Sequence, residues 1–233
     1  MTSTAIVGST GLVGSSILST LLSLPQISSV HSISRRKPAA AATDTKLDPV
    51  IEPDTAQWPA KFSLISPPPQ IFFSGLGTTR GAAGSVAAQR LIDHDLNLSL
   101  AQAAKEAGVK VYVLISSGGA SAQSMMAYPK MKGELEEAVK GLGFDHTVIL
   151  RPGLIVGERE ESRPAEWLVR KIAGAAGMIS TGLKDVWAQD KDVIAKAAVS
   201  AGLKALEGGE DVPKVWMVGQ SDIVRLGRTE WKA

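Results

Sequence analysis

The sequence predicts an α/β fold: a doubly wound, mainly parallel sheet with helices on both faces. Three observations carry that expectation. Apolar residues Ala5-Ile6-Val7 run straight into Gly8-Ser9-Thr10-Gly11-Leu12-Val13-Gly14, a G-x-x-G-x-x-G triplet, and then into Ser15 to Leu24, whose leucines recur at helical spacing. Strand-like runs alternate with helical ones along the rest of the chain, which implies parallel strands joined by right-handed crossovers. Finally, 233 residues suffice for one large core and fall short of two full domains. A single domain spanning 1–233 is expected, with a cofactor part over about 1–150 and small substrate-side elements over about 151–233.

In the opening unit each glycine has a physical use. Gly8 lets the backbone reverse out of the strand, Gly11 lets a diphosphate approach the main chain, and Gly14 lets the helix pack closely on the sheet. The helix N-terminus then offers unpaired N–H groups and the positive end of its dipole. This is the pattern of a Rossmann-type dinucleotide site, and Gly8 to Gly14 are its candidate residues. The alternative is a turn that merely joins two elements.

Pro25 closes the first helix, and Val30–Ser34 reads as a second strand followed by Arg35-Arg36-Lys37. An acidic residue at that place suits the ribose hydroxyl of NAD, whereas arginine suits the 2′-phosphate of NADP. Arg35 and Arg36 therefore favour NADPH/NADP. A solvated surface cluster or nuclear-import patch is the competing reading.

Pro38–Thr45 reads as an alanine-rich loop, and Leu47–Glu52 as a poor third strand because Pro49 and Pro53 limit its ladder. Gln57-Trp58-Pro59 and Pro67-Pro68-Pro69 read as loop before the buried strand Ile71–Ser74. The run Gly75-Leu76-Gly77-Thr78-Thr79 then falls at a strand's carboxyl end, where small residues let backbone lie against a cofactor, unless it is an ordinary Gly-Thr turn.

One long helix is expected over Ser85–Ala107, stopped by Gly108. Lys110–Ile115 is a clear strand ending in Ser116-Ser117. The next helix starts near Tyr128-Pro129, since proline is favoured in a first turn, and runs to Gly141. Thr147–Leu150 is a sixth strand, Pro164–Ala173 and Asp192–Leu206 are helices, and Lys214–Val218 is a last strand.

Composition excludes several classes. With 25 basic and 23 acidic residues the net charge is +2, so no global field favours nucleic acid or an anionic membrane. Cysteine is absent, which removes disulfides, thiolate metal sites and cysteine nucleophiles. His31, His94 and His146 lack metal-ligand spacing, so no metal site is expected. From Met1 to Ser34 no residue is formally charged, yet a basic leader is missing and glycine, serine and Pro25 break the apolar runs. That segment is read as a first strand and core helix.

Tyr128 and Lys132 stand four apart on one helix face, so the ammonium is placed to lower the phenol pKa for acid–base work near neutrality. Ser116 or Ser117, across the cleft, would hold a substrate carbonyl. As bare patterns these residues also describe a solvated helix and a turn; the order of cofactor turn, serine and Tyr-Lys favours chemistry.

With these residues in view, the chain resembles the short-chain dehydrogenase/reductase superfamily in its extended or atypical branch. More closely it is similar to the HIV Tat-interactive protein 2 family and its fungal relatives, the small proteins catalogued as "found in mitochondrial proteome". The carrying stretches are Gly75–Gly81, Tyr128–Glu134, Leu150-Arg151-Pro152-Gly153 and above all Glu161–Lys171. The resemblance covers nearly the whole chain and is faint over Pro38–Pro69 and after Met178. It implies a Rossmann sheet binding NADPH, with Ser116 or Ser117, Tyr128 and Lys132 in the catalytic slots and Pro152, Gly153, Leu154 and Ile155 beside the cofactor. Where the superfamily has a helix asparagine this chain departs near Asp93, which puts the usual proton-relay path in question.

The resemblance names no substrate; it implies an oxidoreductase or a cofactor-bound regulator with a protein partner, and a place in the cytosol or on the cytosolic face of the mitochondrial outer membrane with at most peripheral attachment, while a small carbonyl substrate is what the Ser-Tyr-Lys arrangement itself leads us to expect. The Glu161–Lys171 run is read either as a surface helix packing Trp167 and Leu168 or as a lid or partner surface. An NADPH-dependent reductase is the leading expectation. An NADPH-sensing interaction protein with vestigial chemistry is the alternative, and an NAD-binding epimerase or dehydratase fits the glycines but not Arg35 and Arg36.

Overall fold

The computed structural model describes residues 1–42, 44–156, 188–209 and 212–232. Seven parallel strands are β1 (Thr2–Val7), β2 (Ile27–Ser34), β3 (Leu47–Ile51), β4 (Ile71–Ser74), β5 (Val111–Ile115), β6 (His146–Leu150) and, later in the chain, β9 (Val215–Val218). They stand in the order β3-β2-β1-β4-β5-β6-β9, and every adjacent pair is parallel. A separate parallel pair joins β7 (Leu154–Val156) to β8 (Ala188–Asp190). This is the expected doubly wound sheet. Strand order reverses between β1 and β4, and in such sheets the crevice at the carboxyl ends of those two strands is where ligands sit.

Both faces of the sheet are covered, which is why β5 reads Val-Tyr-Val-Leu-Ile without a charged residue. Side chains alternate along each strand. Ile6, Phe73, Val113 and Val148 face one layer, with α1 (Leu12–Ser23) and a later helix, Lys191–Glu207. Ala5, Phe72, Tyr112 and Ile149 face the other, with α2 (Trp58–Ser63), α5 (Asn97–Glu106) and α6 (Ala127–Gly141). On that second side Phe62, Phe72, Tyr112 and Phe144 form a chain of rings with centroids 4.7, 5.5 and 5.3 Å apart. Aromatic contacts of this kind add to the burial of apolar area that holds the layers together.

Three expectations change. Leu47–Ile51 does form a strand, because β3 is the sheet edge: Pro49 sits opposite Ser32 with its ladder-less nitrogen tolerated there. Trp58 is not loop but the first residue of α2, buried in the second core, with its indole N–H donating to the Glu52 carbonyl at 2.9 Å. The long helix expected over Ser85–Ala107 is broken. It comprises α4 (Val86–Arg90), a π turn at Leu91–Leu96 and α5, preceded by a one-turn α3 (Arg80–Ala83). The Asp192–Leu206 helix appears as α7 (Lys191–Glu207), and α8 (Gln220–Val224) follows β9. The expected Pro164–Ala173 helix and the Glu161–Lys171 run lie outside the described residues.

Candidate functional site

The turn after β1 is built from backbone packed on backbone. Gly8 has φ +78°, and a Cβ there would lie 2.5 Å from the carbonyl carbon of Gly75. A Cβ on Gly14 would lie 2.6 Å from the Gly8 carbonyl carbon, with the carbonyl oxygen nearer still. Gly8 thus locks the loop after β1 onto the loop after β4, and Gly14 lets α1 press on both. The Gly11 N–H donates to the Gly8 carbonyl at 2.8 Å, and the Ser15 N–H donates to the Gly11 carbonyl at 2.9 Å. Between them the amides of Leu12, Val13 and Gly14 have no partner inside the helix. Gly11, the N-cap, is exposed and brings no capping side chain.

Side chains in this turn look elsewhere. The Ser9 hydroxyl is buried against that of Ser32 at 2.6 Å, Val13 is in the core, and Thr10 and Leu12 are half-buried. What the loop offers a ligand is main-chain N–H at a helix N-terminus, which fits a diphosphate. Arg35 and Arg36 follow directly on β2 with exposed side chains, and the Ser34 hydroxyl donates to the Arg36 carbonyl at 2.7 Å to set that turn. Exposed guanidinium groups beside the β2 end fit a phosphorylated ribose.

The loop after β4 is held by the π turn. The Gly75 N–H donates to the Val7 carbonyl at 3.1 Å, Leu76 packs on the second core, and its carbonyl accepts from Asn97 Nδ2 at 3.3 Å. The Thr78 N–H donates to Asp93 Oδ1 at 2.6 Å, and Gln89 Nε2 reaches both the Thr78 carbonyl (3.2 Å) and Asp93 Oδ2 (3.3 Å). The Thr79 hydroxyl caps α3. A Cβ on Gly77 would have Asp93 Oδ1 at 3.7 Å and Lys132 Nζ at 3.8 Å. The π turn carries Asp93 inward, and burial pushes its carboxyl up, against the lowering effects of Lys132, Thr78 and Gln89.

The two serines at the end of β5 have different partners. Ser116 is buried and donates to Glu136 Oε1. Glu136 is itself fully buried on α6 and paired with Arg151, whose Nε lies 3.1 Å from Oε1 and whose second nitrogen meets Oε2. Ser117 is half-exposed and lies near enough to the Tyr128 hydroxyl to favour its ionised form. Ser117 therefore faces the cleft with Tyr128, whereas Ser116 belongs to the joint between β5, α6 and β6. A Cβ on Gly133 would lie 2.6 Å from Ser121 Cα, so α6 sits hard against the Ser121-Ala122 turn, which places Tyr128 beside Ser117.

Lys132 is buried at the next turn of α6. Burial pushes its ammonium pKa down, while Asp93 and Glu136 pull it back up. Among the described residues no hydrogen bond ends on that ammonium, whose charge is balanced through space. The expectation that Lys132 lowers the Tyr128 pKa is overturned. Tyr128 is pushed up by the enclosure of its hydroxyl end and by the Asp93 carboxylate, with Ser117 acting the other way, while the residue as a whole stays 41% exposed. The cation is answered by two carboxylates, Asp93 and Glu136.

Pro152 is buried, its carbonyl accepts from the Gly118 N–H at 2.7 Å, and the Gly153 N–H donates to Gln189 Oε1 at 2.7 Å. Leu154 is exposed and Ile155 half-exposed on β7. The structure thus joins the loops after β1 and β4 at Gly8 and Gly75, brings Lys132 to Gly77, puts Tyr128 on the same side as Ser117, and sets Pro152 on the Gly118 turn. The sequence reading missed Gln89, Asn97, Glu136 and Arg151. Glu136 stands four and eight residues after Lys132 and Tyr128 on one helix face, a spacing that carried the signal.

A family model described as HIM1 matches residues 60–173. The chain is 58% identical to "Protein fmp52, mitochondrial" of Aspergillus fumigatus, over 97% of its own length and 99% of that protein. It belongs to the Fmp52 family. A second Fmp52 relative, "Protein fmp52-1, mitochondrial" of Aspergillus terreus, is 57% identical over 98% of this chain and all (100%) of that protein. Among solved structures, this Fmp52 chain is similar to the Bordetella bronchiseptica enzyme WbmH in complex with NAD+, with TM-score 0.67 and 16% identity over 94% of this chain and 75% of that one. It is also similar to a short-chain dehydrogenase family protein from Francisella tularensis, with TM-score 0.63 and 13% identity over 95% and 98%. At such identities the likeness is one of fold. Among the described residues no helix is long and apolar enough to cross a membrane.

Proposed function

We propose that this chain is an NADPH-binding reductase of the short-chain type that acts on a small carbonyl compound. The observation that carries the reading is the convergence, at the β1/β4 crevice, of a side-chain-free diphosphate cradle with the Tyr128–Ser117 pair and the buried Lys132 ammonium. The amides of Leu12 to Gly14 and the backbone of Gly75 to Thr79 would hold the diphosphate and nicotinamide side, Arg35 and Arg36 the 2′-phosphate, and Lys132 a ribose hydroxyl. Pro152 to Ile155 would border the reactive ring. NADPH, when bound, supplies the hydride that adds to the carbonyl carbon.

Tyr128 donates its hydroxyl proton to the carbonyl oxygen as that bond becomes an alcohol, and Ser117 orients the same oxygen by a hydrogen bond. A solvent proton then restores the phenol, so the balance is carbonyl, NADPH and one proton to alcohol and NADP. A tyrosine held in its protonated form suits this direction. Within the single domain, residues up to about 150 would bind cofactor and those from about 151 would border the substrate. The names of the relatives support a mitochondrial setting, and we place the chain on the cytosolic face of the outer membrane by peripheral attachment.

The test is a fluorescence titration with NADPH and with NADH, followed by cofactor oxidation at 340 nm over a panel of aldehydes, ketones and quinones. Micromolar NADPH binding with turnover lost in Tyr128→Phe supports the reading; wild-type protein that binds neither nucleotide refutes it. A second reading, a cofactor sensor whose chemistry is vestigial and which presents a surface to a protein partner, is favoured by the engagement of Lys132 with two carboxylates. It expects NADPH to protect the chain from protease equally in wild type and in a Tyr128→Phe/Lys132→Met variant, with no substrate turned over by either.

A further inference from the structure

A cavity of about 280 Å³ opens at the sheet edge, between β2, β3 and the end of α2, and no step of the reductase reading uses it. It exists because α2 has six residues and is about 9 Å long, whereas β2 has eight and extends over about 26 Å, so the helix leaves part of the strand pair uncovered. In a crossover between parallel strands the helix runs back toward the strands' amino ends. Lys61 to Ser66, at the end of α2, therefore place the cavity on the side of the edge away from the crevice. Trp58 and Phe62 are buried and hold α2 on the second core, where Val50 and Ile65 also pack, so the walls are fixed.

The lining combines an apolar wall with polar groups that have few partners. Val50, Leu64 and Ile65 form the wall, and Leu64 is 76% exposed. Strand pairing sets His31 opposite Asp48, two residues before Ile33 and Val50 on the same face. The imidazole Nδ1 lies 3.0 Å from Asp48 Oδ2, which leaves Nε2 as the ring's remaining polar atom. Lys61 Nζ reaches Glu52 Oε2 at 4.0 Å, the outer limit of an ion pair. Among the described residues neither that ammonium nor the Ser66 hydroxyl makes a hydrogen bond. Exposed apolar area in a concavity with a few convergent polar groups is the ordinary make-up of a ligand site.

We infer that this cavity is a second ligand site, which takes a small amphipathic carboxylate. The Lys61 ammonium and the Ser66 hydroxyl donate to its two oxygens, and its carbon chain or ring lies on Val50, Leu64 and Ile65. A cation is repelled by Lys61. A doubly charged phosphate is disfavoured, because one ammonium is its sole cationic partner and the Asp48 carboxylate stands at the rim beside His31. Size narrows the class further. At about 30 Å³ per water the cavity has room for about nine waters, and a cavity of about 150 Å³ already takes a benzene ring. An acid of roughly eight to twelve non-hydrogen atoms fits. The site needs no nicotinamide cofactor and stands apart from the reductase reading.

The test is a calorimetric titration of the full chain with octanoate and with trans-cinnamate, beside octanol as the uncharged counterpart. Saturable one-site binding of at least one acid is expected, with octanol about tenfold or more weaker than octanoate, since the charge-assisted contact is lost. Lys61→Met keeps the apolar stem and removes the charge, and Leu64→Glu sets a carboxylate on the exposed wall; each should weaken the acid about tenfold or more. Lys214→Met neutralises an exposed lysine beside β9, the opposite sheet edge, and leaves the affinity in place. Circular dichroism checks each fold, and should one of the two cavity variants fail to fold, the other carries the comparison. Neither acid binding, octanol binding as well as octanoate, an unchanged affinity in a folded cavity variant, or an equal loss in Lys214→Met overturns the inference. So does competition with NADPH, which would put the acid in the crevice. A wild-type failure to bind NADPH would refute the reductase reading and leave these titrations unaffected, so the two failures are separable.

Discussion

Adding one methyl group at Gly11 separates what the glycine turn does for the fold from what it does for a ligand. A Cβ at Gly11 meets the Gly8 carbonyl oxygen at 3.1 Å and nothing else within 4 Å. That contact is tight by a few tenths of an ångström. Together with the poorer N-cap it should cost about 1 kcal/mol, or roughly 2–4 °C in melting temperature for a chain of this size. The same methyl would add bulk at the mouth of the turn, at the N-cap of α1 where a diphosphate has to approach the free amides. Loss of one charge-assisted hydrogen bond there is worth about 1.5–3 kcal/mol, so NADPH affinity should fall about tenfold to a hundredfold.

Gly14→Ala is the control of opposite kind. Its Cβ lies 2.6 Å from the Gly8 carbonyl carbon, a backbone atom that no rotamer change can move. Overpacking of this sort costs about 1–3 kcal/mol, partly offset by the better helix propensity of alanine. Thermal melts with and without NADPH, beside fluorescence titrations, separate the effects: Gly11→Ala loses affinity with a nearly unchanged fold, whereas Gly14→Ala loses both. Wild-type affinity in a well-folded Gly11→Ala protein would refute the placing of a diphosphate on this turn.

Neutralising Arg35 and Arg36 together should weaken NADPH about tenfold or more and leave NADH within about twofold, since each charged contact to a phosphate carries roughly 1.5–3 kcal/mol; equal losses for both nucleotides would remove the basis for an NADP preference. Tyr128→Phe should abolish carbonyl reduction with NADPH affinity retained, read by oxidation at 340 nm on the substrate that the panel identifies. Glu136→Ala leaves the partly exposed Arg151 and the buried Ser116 hydroxyl without their carboxylate, so a loss of about 1–3 kcal/mol is expected in urea unfolding. A change below about 1 kcal/mol would mean that this ion pair contributes little to the joint between β5, α6 and β6.

The sequence by itself determined the class of fold and the place of the cleft. A strand, a G-x-x-G-x-x-G turn and a helix are local, and so is the alternation of apolar runs that a doubly wound parallel sheet needs on both faces. The position of Arg35 and Arg36 after the second strand, and of Tyr128 and Lys132 on one helix face, followed from spacing alone. Tertiary structure decided the rest because the deciding contacts cross long stretches of chain. Leu47–Ile51 became a strand only because an edge tolerates Pro49. Which serine faces the cleft depended on Glu136, twenty residues on, taking Ser116 into a pair with Arg151. That Asp93 and Lys132 both come up against Gly77 depended on a π turn that interrupts the helix after the fourth strand. Helical periodicity reports which residues share a face; it does not report which charge the folded chain brings up against that face.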